Sequence, residues 1–428
     1  MSVVWLVLWN KRPEGTRPTL RDSANAMVSA EGVNSPKTSL RFNGSAETKR
    51  SIPDRRAITP AIVQIVPRRV GQPEGIGDYA TRLANALFER SGCRSAFVVG
   101  TPADIELPVE DAWLNSPVTV RTGSRFAKQL TDICLDTEAK AVVLHVAGYG
   151  YQKRGVPFWL LNGMQRWRRM QPSICLIGIF HELFASNRVW NSSFWLSPAQ
   201  RYIARELWRL CDYGLTTNDA YAGHLAAWRP ITQKQLRVLP VFSNVGEPDT
   251  ILPLLDRPAQ MAVFGAAGVE RAIYSKPISE ESAAVTNALS IQNVIDIGAR
   301  VMSVPPRLGH AVVTSMGPLS GCLVSRHLLA CRYGLLNYDV GRLGKSGVFA
   351  AFASHGVIPI CIGSRAVPTD GLEEGRHFLR WPFEQAPPNL SEIQRELVCW
   401  YQKHSVAEHA DLLSLWSTVR ESTLRHSG

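Results

Sequence analysis

The fold is decided by Ala61-Ile62-Val63-Gln64-Ile65-Val66 and by the loop Gly75-Ile76-Gly77-Asp78-Tyr79-Ala80 that follows it. The first run is short and rich in β-branched residues, and it therefore predicts a buried strand. After the glycines, apolar residues recur at helical spacing through residues 79–87, which predicts a helix. A strand, a glycine-rich loop and a helix in this order indicate the first unit of an α/β domain.

The same alternation of apolar runs and helix-length segments continues along the chain. Strands separated by helices favour parallel pairing through right-handed crossovers, and hence open sheets covered on both faces. The first series of predicted strands is 61–66, 96–99, 141–146, 174–180, 213–216 and 236–239, and the second is 261–265, 294–297, 311–315, 334–338 and 357–362.

Composition sets the domain boundaries. Residues 1–58 are polar and basic without a sustained apolar period, so they are expected to form a flexible, disordered N-terminal extension. A polar stretch punctuated by prolines separates a first Rossmann-like domain, residues 59–245, from a second one, residues 258–380. Residues 381–428 predict two C-terminal helices, which are expected to pack across the junction between the domains.

The formal net charge of +11 raises the question of nucleic-acid binding. Residues 1–57 contain ten Lys/Arg against five Asp/Glu, and the remaining excess forms no long basic run. This distribution suits an anionic small substrate or a membrane surface at least as well as a polynucleotide, and no nucleic-acid partner is expected.

The eight cysteines form no C-x-x-C pair and lie mostly in apolar runs, which predicts buried, reduced thiols. The opening apolar run of residues 3–9 is too short to span a bilayer and no small-residue cleavage site follows it. A cytoplasmic location is therefore expected.

The loop Gly75-Ile76-Gly77-Asp78-Tyr79-Ala80 matches the G-x-G-x-x-A dinucleotide fingerprint. However, residues 67–74 separate it from the strand, and no carboxylate follows the second predicted strand to bind a ribose. An NAD-type oxidoreductase is therefore the weaker alternative. Glycines at a helix start allow backbone N–H groups to approach an anionic ligand, and a tight turn that needs glycine only for its backbone angles remains the other interpretation.

A second loop of this kind is Gly344-Lys345-Ser346-Gly347, which precedes a helix of small residues. Ser346 is suited to cap this helix, and Lys345 together with free backbone amides is suited to hold a diphosphate. Asp339 stands five positions before Gly344, so the pattern is not that of a nucleotide-hydrolysing P-loop. A helix cap beside a solvated lysine is the alternative.

In their order along residues 60–380, these features resemble the GT-B glycosyltransferases, most closely the family-4 type of bacterial polysaccharide and glycolipid enzymes. The resemblance rests on Gly75-Ile76-Gly77-Asp78-Tyr79, on His181-Glu182 at a strand end, on Phe264-Gly265, and on a helix closed by His355-Gly356-Val357-Ile358-Pro359-Ile360. It implies that the first domain holds the acceptor and the second holds a nucleotide-activated sugar. It also implies transfer in the cleft between them without an obligatory metal or cofactor, the nucleotide diphosphate sugar being a co-substrate.

The sequence departs from this family at one point. Many retaining members carry two glutamates eight positions apart, and counted back from Gly356 these positions are occupied by Leu343 and Ala351. The departure leaves retention or inversion open, and it motivates the alternative of a non-catalytic GT-B-like binding or assembly module.

His181 follows an apolar strand at its carboxyl end, which is the ligand edge of an open α/β sheet. A histidine there can bond a sugar hydroxyl or stabilise positive charge, and Glu182 can assist it or act as a base, although a structural histidine remains the alternative. His181, Glu182 and Asp78 are the expected catalytic residues. The expected substrate and donor contacts are Gly75, Gly77, Tyr79, His145, Asn218, Arg271, Lys345, Ser346 and Gly347.

Residues 158–169 combine an apolar helical face with arginines, a pattern that also occurs in helices lying on anionic lipid. A core-facing helix with a solvated arginine edge is the favoured interpretation. The sequence thus predicts a cytoplasmic glycosyltransferase that moves a sugar from a nucleotide diphosphate sugar to a saccharide or lipid-linked acceptor in surface polysaccharide biosynthesis. A peripheral contact with the inner membrane is a further expectation.

Overall fold

The computed structural model describes residues 61–68, 75–100, 114–117, 121–185, 192–230, 235–265, 273–298, 304–384 and 389–425. The predicted extension at residues 1–58 and the candidate ligand residue Arg271 lie outside these ranges. The described residues form an α/β protein with two seven-stranded sheets.

The first sheet has the strand order β3-β2-β1-β4-β5-β6-β7, and every pairing in it is parallel. Its strands are β1 (Ile62–Val66), β2 (Ser95–Val99), β3 (Leu114–Pro117), β4 (Ala141–Val146), β5 (Cys175–Phe180), β6 (Tyr213–Thr216) and β7 (Leu236–Val238).

The second sheet has the order β10-β11-β9-β8-β12-β13-β14, and only β10 is antiparallel to its neighbour. Its strands are β8 (Gln260–Gly265), β9 (Asn293–Gly298), β10 (Arg307–Leu308), β11 (Ala311–Gly317), β12 (Tyr333–Leu336), β13 (Ile358–Cys361) and β14 (Leu379–Arg380). The strands that the sequence did not predict, β3, β10 and β14, are all edge strands. An edge strand needs no continuous apolar run, because it is not covered on both sides by other strands.

Helices connect the strands and follow the second sheet. They are α1 (Gly75–Ser91), α2 (Gly123–Asp136), α3 (Gly148–Tyr151), α4 (Phe158–Met170), α5 (Ser192–Leu210), α6 (Asp219–Trp228), α7 (Ile278–Ala288), α8 (Gly321–Ala330), α9 (Gly347–Ser354), α10 (Leu390–Gln402) and α11 (Val406–Arg425), with 3₁₀ turns at Leu254–Asp256 and Val340–Lys345. We call β1–β7 with α1–α6 the first lobe and β8–β14 with α7–α9 the second lobe.

The central strands of both sheets follow the doubly wound order, in which the chain reverses its direction of winding beside the first strand. The reversal lies between β1 and β4 in the first sheet and between β8 and β12 in the second. Ligands of open α/β sheets bind beyond the carboxyl ends of the strands at this point. The helix α1 begins on that side of the first sheet, and α9 begins on that side of the second.

The two C-terminal helices join the lobes. Trp400 of α10 packs edge-on against Phe349 of α9, with ring centroids 5.5 Å apart. Trp416 of α11 stacks on Tyr213 of β6 at 4.9 Å, so α11 covers the first sheet. Side chains from both sheets and both C-terminal helices belong to one continuous hydrophobic cluster.

The helix α4 faces the core. Its apolar residues Leu160, Leu161, Met164 and Trp167 are buried, and Arg168 binds Asp212 at 2.6 Å. The apolar face of this helix is therefore not available for lipid, and the favoured interpretation of residues 158–169 is confirmed. None of the helices in the described ranges combines the length and the apolar character that a bilayer crossing requires.

Candidate functional site

A row of buried polar side chains crosses four adjacent strands of the first sheet. Ser95 lies on β2, Gln64 on β1, His145 on β4, and His181 directly after β5. In the register of the sheet, each member of the row lies two residues beyond the residue that faces its neighbour. Because side chains alternate between the faces of a sheet, all four lie on the same face.

Continuous hydrogen bonds join these side chains. The Nε2 atom of Gln64 lies 3.0 Å from the Ser95 hydroxyl, and its Oε1 atom lies 3.0 Å from Nε2 of His145. The remaining nitrogen of His145, Nδ1, lies 3.0 Å from Nε2 of His181. Both nitrogens of His145 are thus occupied and its side chain is fully buried, so the predicted role of His145 in ligand binding is at most an indirect one.

Tyr79 of α1 packs against both histidines from the side of the core. Its ring meets the rings of His145 and His181 edge-on, at centroid distances of 5.9 and 5.0 Å, and it stacks on Phe242 at 4.2 Å. His409 of α11 contacts the same tyrosine edge-on at 5.8 Å. Tyr79 is buried, and its hydroxyl has no hydrogen-bond partner among the described residues. The structure therefore places Tyr79 in the wall behind the histidine pair.

Burial keeps both histidines of the pair neutral. It lowers the pKa of His145 to about 3. Burial is also the main cause that lowers the pKa of His181 well below its usual range, and nearby His145, Lys345 and His409 act in the same direction. His181 retains 9% exposure, and its Nδ1 atom has no hydrogen-bond partner within the described ranges. Of the two imidazoles, His181 is therefore the one able to contact a ligand.

The start of α9 forms the facing site on the second lobe. Ser346 is the N-cap, and its hydroxyl accepts a hydrogen bond of 3.2 Å from the Phe349 N–H. The cap leaves the N–H groups of Gly347 and Val348 without an intrahelical partner, as in the first turn of any α-helix. These donors and the positive end of the helix dipole favour an anionic ligand.

Lys345 spans the gap between the lobes. Its Nζ atom donates to the hydroxyl of Tyr221 on α6 at 2.9 Å and lies 4.4 Å from the centre of the same ring. The ammonium group is also close enough to His181 to lower the pKa of that imidazole. Tyr221 is on α6, which follows β6, and His181 follows the neighbouring strand β5, so Lys345 and His181 lie at the same edge of the first sheet.

Asn244, in the segment between the lobes, lies between the starts of two helices. A methyl group added to Gly75, at the start of α1, would lie 4.0 Å from the Asn244 amide nitrogen. A methyl group added to Gly347, at the start of α9, would lie 3.7 Å from the same atom. The two glycine loops that the sequence singled out thus approach each other from opposite lobes.

Two further hydrogen bonds join the second lobe to the rest of the chain beside these groups. The backbone N–H of Val241 donates to the carbonyl of Gly344 at 2.8 Å. The N–H of Asp219 donates to a carboxylate oxygen of Asp370 at 2.9 Å, and this carboxyl has a raised pKa because it is partly buried. Gly344 permits this approach, since a methyl group there would lie 2.7 Å from the other oxygen of Asp370.

The remaining sequence candidates lie around the gap between the lobes in different roles. Asn218 caps α6, its side-chain oxygen accepting from the Tyr221 N–H at 2.8 Å. Glu182 lies next to His181 and acts electrostatically on Tyr338 of the second lobe, whose pKa burial raises to about 12. Asp78 has a pKa raised by burial and interacts with Arg82 on α1. Arg82 in turn donates to the backbone carbonyl of Asn244 at 2.5 Å, so the geometry groups Asp78 with Arg82 and the segment between the lobes.

Sequence reasoning did not single out Gln64, Ser95, Asn244 or Tyr221 as functional. Gln64 carried a signal, because a glutamine in the middle of an otherwise apolar strand must find a partner when it is buried. The sequence contained no such signal at Asn244 or Tyr221, since the contacts of these residues depend on how the lobes dock. The described part of the chain contains no cluster of three His, Cys, Asp or Glu side chains arranged to hold a metal ion.

No family model and no curated protein matches this sequence. Among solved structures, the chain is similar to a glycosyltransferase from Rickettsia africae ESF-5, with a TM-score of 0.50 and 10% identity over 84% of this chain and 98% of the other. It is also similar to a protein assigned as a UDP-N-acetylglucosamine 2-epimerase from Listeria monocytogenes, with a TM-score of 0.50 and 13% identity over 84% of this chain and 97% of the other.

At these identities the likeness concerns the fold. The chain has the GT-B architecture, in which two Rossmann-like domains face each other across a cleft. Because one fold hosts several activities, what the cleft does has to be argued from its side chains.

Proposed function

We propose that this protein is a glycosyltransferase that takes a sugar from a nucleotide diphosphate sugar and transfers it to a saccharide or lipid-linked acceptor. One observation carries the proposal. Lys345, next to the start of α9 in the second lobe, reaches the edge of the first sheet at which His181 lies.

The second-lobe side of the cleft between the lobes suits a departing diphosphate. The free N–H groups of Gly347 and Val348 and the ammonium of Lys345 are all donors, and none requires a proton to be removed before an anion binds. Donors fixed in advance stabilise negative charge that develops on a leaving group. Lys345 would release Tyr221 or share its ammonium protons between the tyrosine and a phosphate oxygen.

The first-lobe side suits the sugar. His181 is neutral and lies at the carboxyl edge of the sheet, where it can form a hydrogen bond with a hydroxyl group without attracting the phosphates away from Lys345. Glu182 is the adjacent carboxylate and the candidate base for an acceptor hydroxyl. Surface polysaccharide or glycolipid is the acceptor class that the sequence resemblance implies.

Calorimetric titration with UDP, GDP, dTDP and CDP and with their sugar conjugates tests the donor part of the proposal. We expect one nucleotide diphosphate to bind with 1:1 stoichiometry and its monophosphate to bind more weakly, because the β-phosphate adds contacts to the cleft. Equal affinity for mono- and diphosphate would contradict the assigned anion site. Transfer of radiolabelled sugar from the bound conjugate to saccharide or lipid-extract acceptors then tests the reaction.

A non-catalytic binding module is the second candidate, and one observation favours it. Leu343 and Ala351, at the positions where the resemblance leads one to expect glutamates, are fully buried in the apolar cluster. Binding of a nucleotide sugar without turnover over a wide acceptor panel would support the module, whereas transfer to any acceptor would exclude it.

A further inference from the structure

The polar row of the first sheet ends in the candidate site, and its hydrogen bonds can be traced proton by proton. The Nε2 atom of Gln64 is an amide donor to Ser95, so Oε1 is the atom that faces His145. An amide oxygen only accepts, and the Nε2 atom of His145 must therefore carry the proton. Neutral His145 is left with a lone pair on Nδ1, which accepts the Nε2–H of His181.

From this chain of bonds we propose that Ser95, Gln64 and His145 are positioning residues. They hold His181 in the Nε2–H tautomer, so that its Nδ1 lone pair is presented to the ligand as a hydrogen-bond acceptor. The inference rests on the proposed function and deepens it by fixing which partner donates the proton in the hydrogen bond at His181. That partner is a hydroxyl of the saccharide, because an acceptor nitrogen bonds an O–H and repels a phosphate oxygen.

The charges around the pair support this polarity. Lys345 from the second lobe acts on His181, and its ammonium favours a lone pair over an N–H on the ring nitrogen that remains free. Tyr79 of α1 packs against the pair from the core, and His409 of α11 packs against Tyr79. Burial lowers the pKa of His409 to about 4, so neither side chain is charged near neutral pH. If the Gln64 amide were reversed, every proton in the row would shift by one position, and His181 would present an Nδ1–H donor next to a cation.

Each side of the cleft therefore binds a different part of the ligand. The second lobe offers donors for the diphosphate, and the first lobe offers an acceptor for a sugar hydroxyl. A histidine free to change tautomer could bind either a phosphate oxygen or a sugar hydroxyl. The donor sugar would then have no single orientation relative to its leaving group. Fixing the tautomer through buried neighbours is the same use of outer contacts by which proteins orient catalytic and metal-binding histidines.

Long-range ¹H–¹⁵N correlation spectra of the full chain labelled with ¹⁵N-histidine test the tautomer directly. Resonances are assigned by their loss in His145→Asn and His181→Asn. We expect both histidines to be neutral Nε2–H tautomers and to remain so between pH 8 and pH 5. An Nδ1–H tautomer at His181, or its protonation with a midpoint above pH 6, would overturn the proposal.

Two substitutions of Gln64 separate positioning from mere packing. Gln64→Leu removes both hydrogen bonds, and we expect mixed tautomers at His181 with a fall in the transfer rate of roughly tenfold. Gln64→Glu keeps an acceptor for His145, so the tautomer is retained. The added negative charge raises the pKa of the imidazoles, and the acid limb of the rate profile moves to higher pH. A profile unmoved in Gln64→Glu, or an unchanged tautomer in Gln64→Leu, would contradict the assigned role.

The spectra do not depend on turnover, so the two proposals can fail separately. The expected tautomer in a protein that transfers no sugar would leave the positioning row intact and remove the transferase function. Sugar transfer by a protein with the reversed tautomer would do the opposite.

Discussion

The two sides of the cleft are built in different ways from the same sheet topology. On the first lobe, the site is part of the core: His145 is fully buried, and His181 and Tyr79 are nearly so. On the second lobe, the candidate site is the first turn of α9, where the cap residue Ser346 is buried but Lys345, Gly347 and Val348 are half-buried. We expect the first side to act through a buried hydrogen-bond acceptor and the second to act through positive charge and free N–H groups.

This difference determines what each side can tolerate. Substitutions of His145, His181 or Tyr79 should change folding stability together with function, because these side chains are also packed in the core. Substitution of Lys345 at the start of α9 should change ligand affinity with little effect on folding. Measuring stability and binding in the same variants therefore tests whether the two sides differ in this way.

The largest effect is expected for Tyr79→Ala. The ring lies against two histidines and Phe242, and removing it opens a cavity that should lower the free energy of unfolding by about 3 to 5 kcal/mol. Tyr79→Phe is the matched control, because the hydroxyl that it removes has no partner among the described residues. We expect the phenylalanine variant to be as stable as the parent or slightly more stable. Urea unfolding curves give both values, and a large loss in Tyr79→Phe would show that the hydroxyl does have a partner.

The accuracy of the fold prediction also differs between the buried interior strands and the edge strands of the sheets. Strands with neighbours on both sides were predictable from their apolar runs, and β1, β4, β5 and β6 match their predicted positions to within one residue. The short edge strands β10 and β14 were not predictable, because two residues of extended chain produce no periodic pattern in the sequence. The glycine loops at the starts of α1 and α9 were recognisable in the sequence, whereas the closeness of these two helix starts in space was not.

The sequence predicted where the candidate residues lie relative to the strands and helices. His181 directly follows a strand and Ser346 directly precedes a helix, as expected. The partnership of Gln64 with His145 depends on a two-residue offset in sheet register, which one sequence does not contain. The contact between Lys345 and Tyr221 depends on how the two lobes dock, and local sequence patterns contain no information on that docking.

The second largest effect is expected for Lys345→Ala. Loss of a charge-assisted contact to phosphate should weaken nucleotide diphosphate binding by roughly 10- to 100-fold in calorimetry. The free energy of unfolding should change by less than about 1 kcal/mol, since the contact with Tyr221 is partly exposed. Lys128→Ala provides the control, because Lys128 is an exposed lysine that pairs with Asp132 on α2. Equal binding in the two variants would remove Lys345 from the anion site.

The smallest effect is expected for Ser346→Ala, and it probes whether the cap itself contacts the ligand. The serine hydroxyl accepts from the Phe349 N–H, so its removal should cost about 1 kcal/mol of stability. Asn389→Ala removes the equivalent cap from α10 and should cost a similar amount without any change in nucleotide affinity. In Ser346→Ala we expect affinity to fall only a fewfold, because the N–H groups of Gly347 and Val348 and the Lys345 ammonium are retained. A loss of binding as large as that of Lys345→Ala, with stability unchanged, would mean that the hydroxyl turns from the helix to the phosphate when the donor binds. The second-lobe side would then rearrange on binding, in contrast to the fixed hydrogen-bond row that faces it.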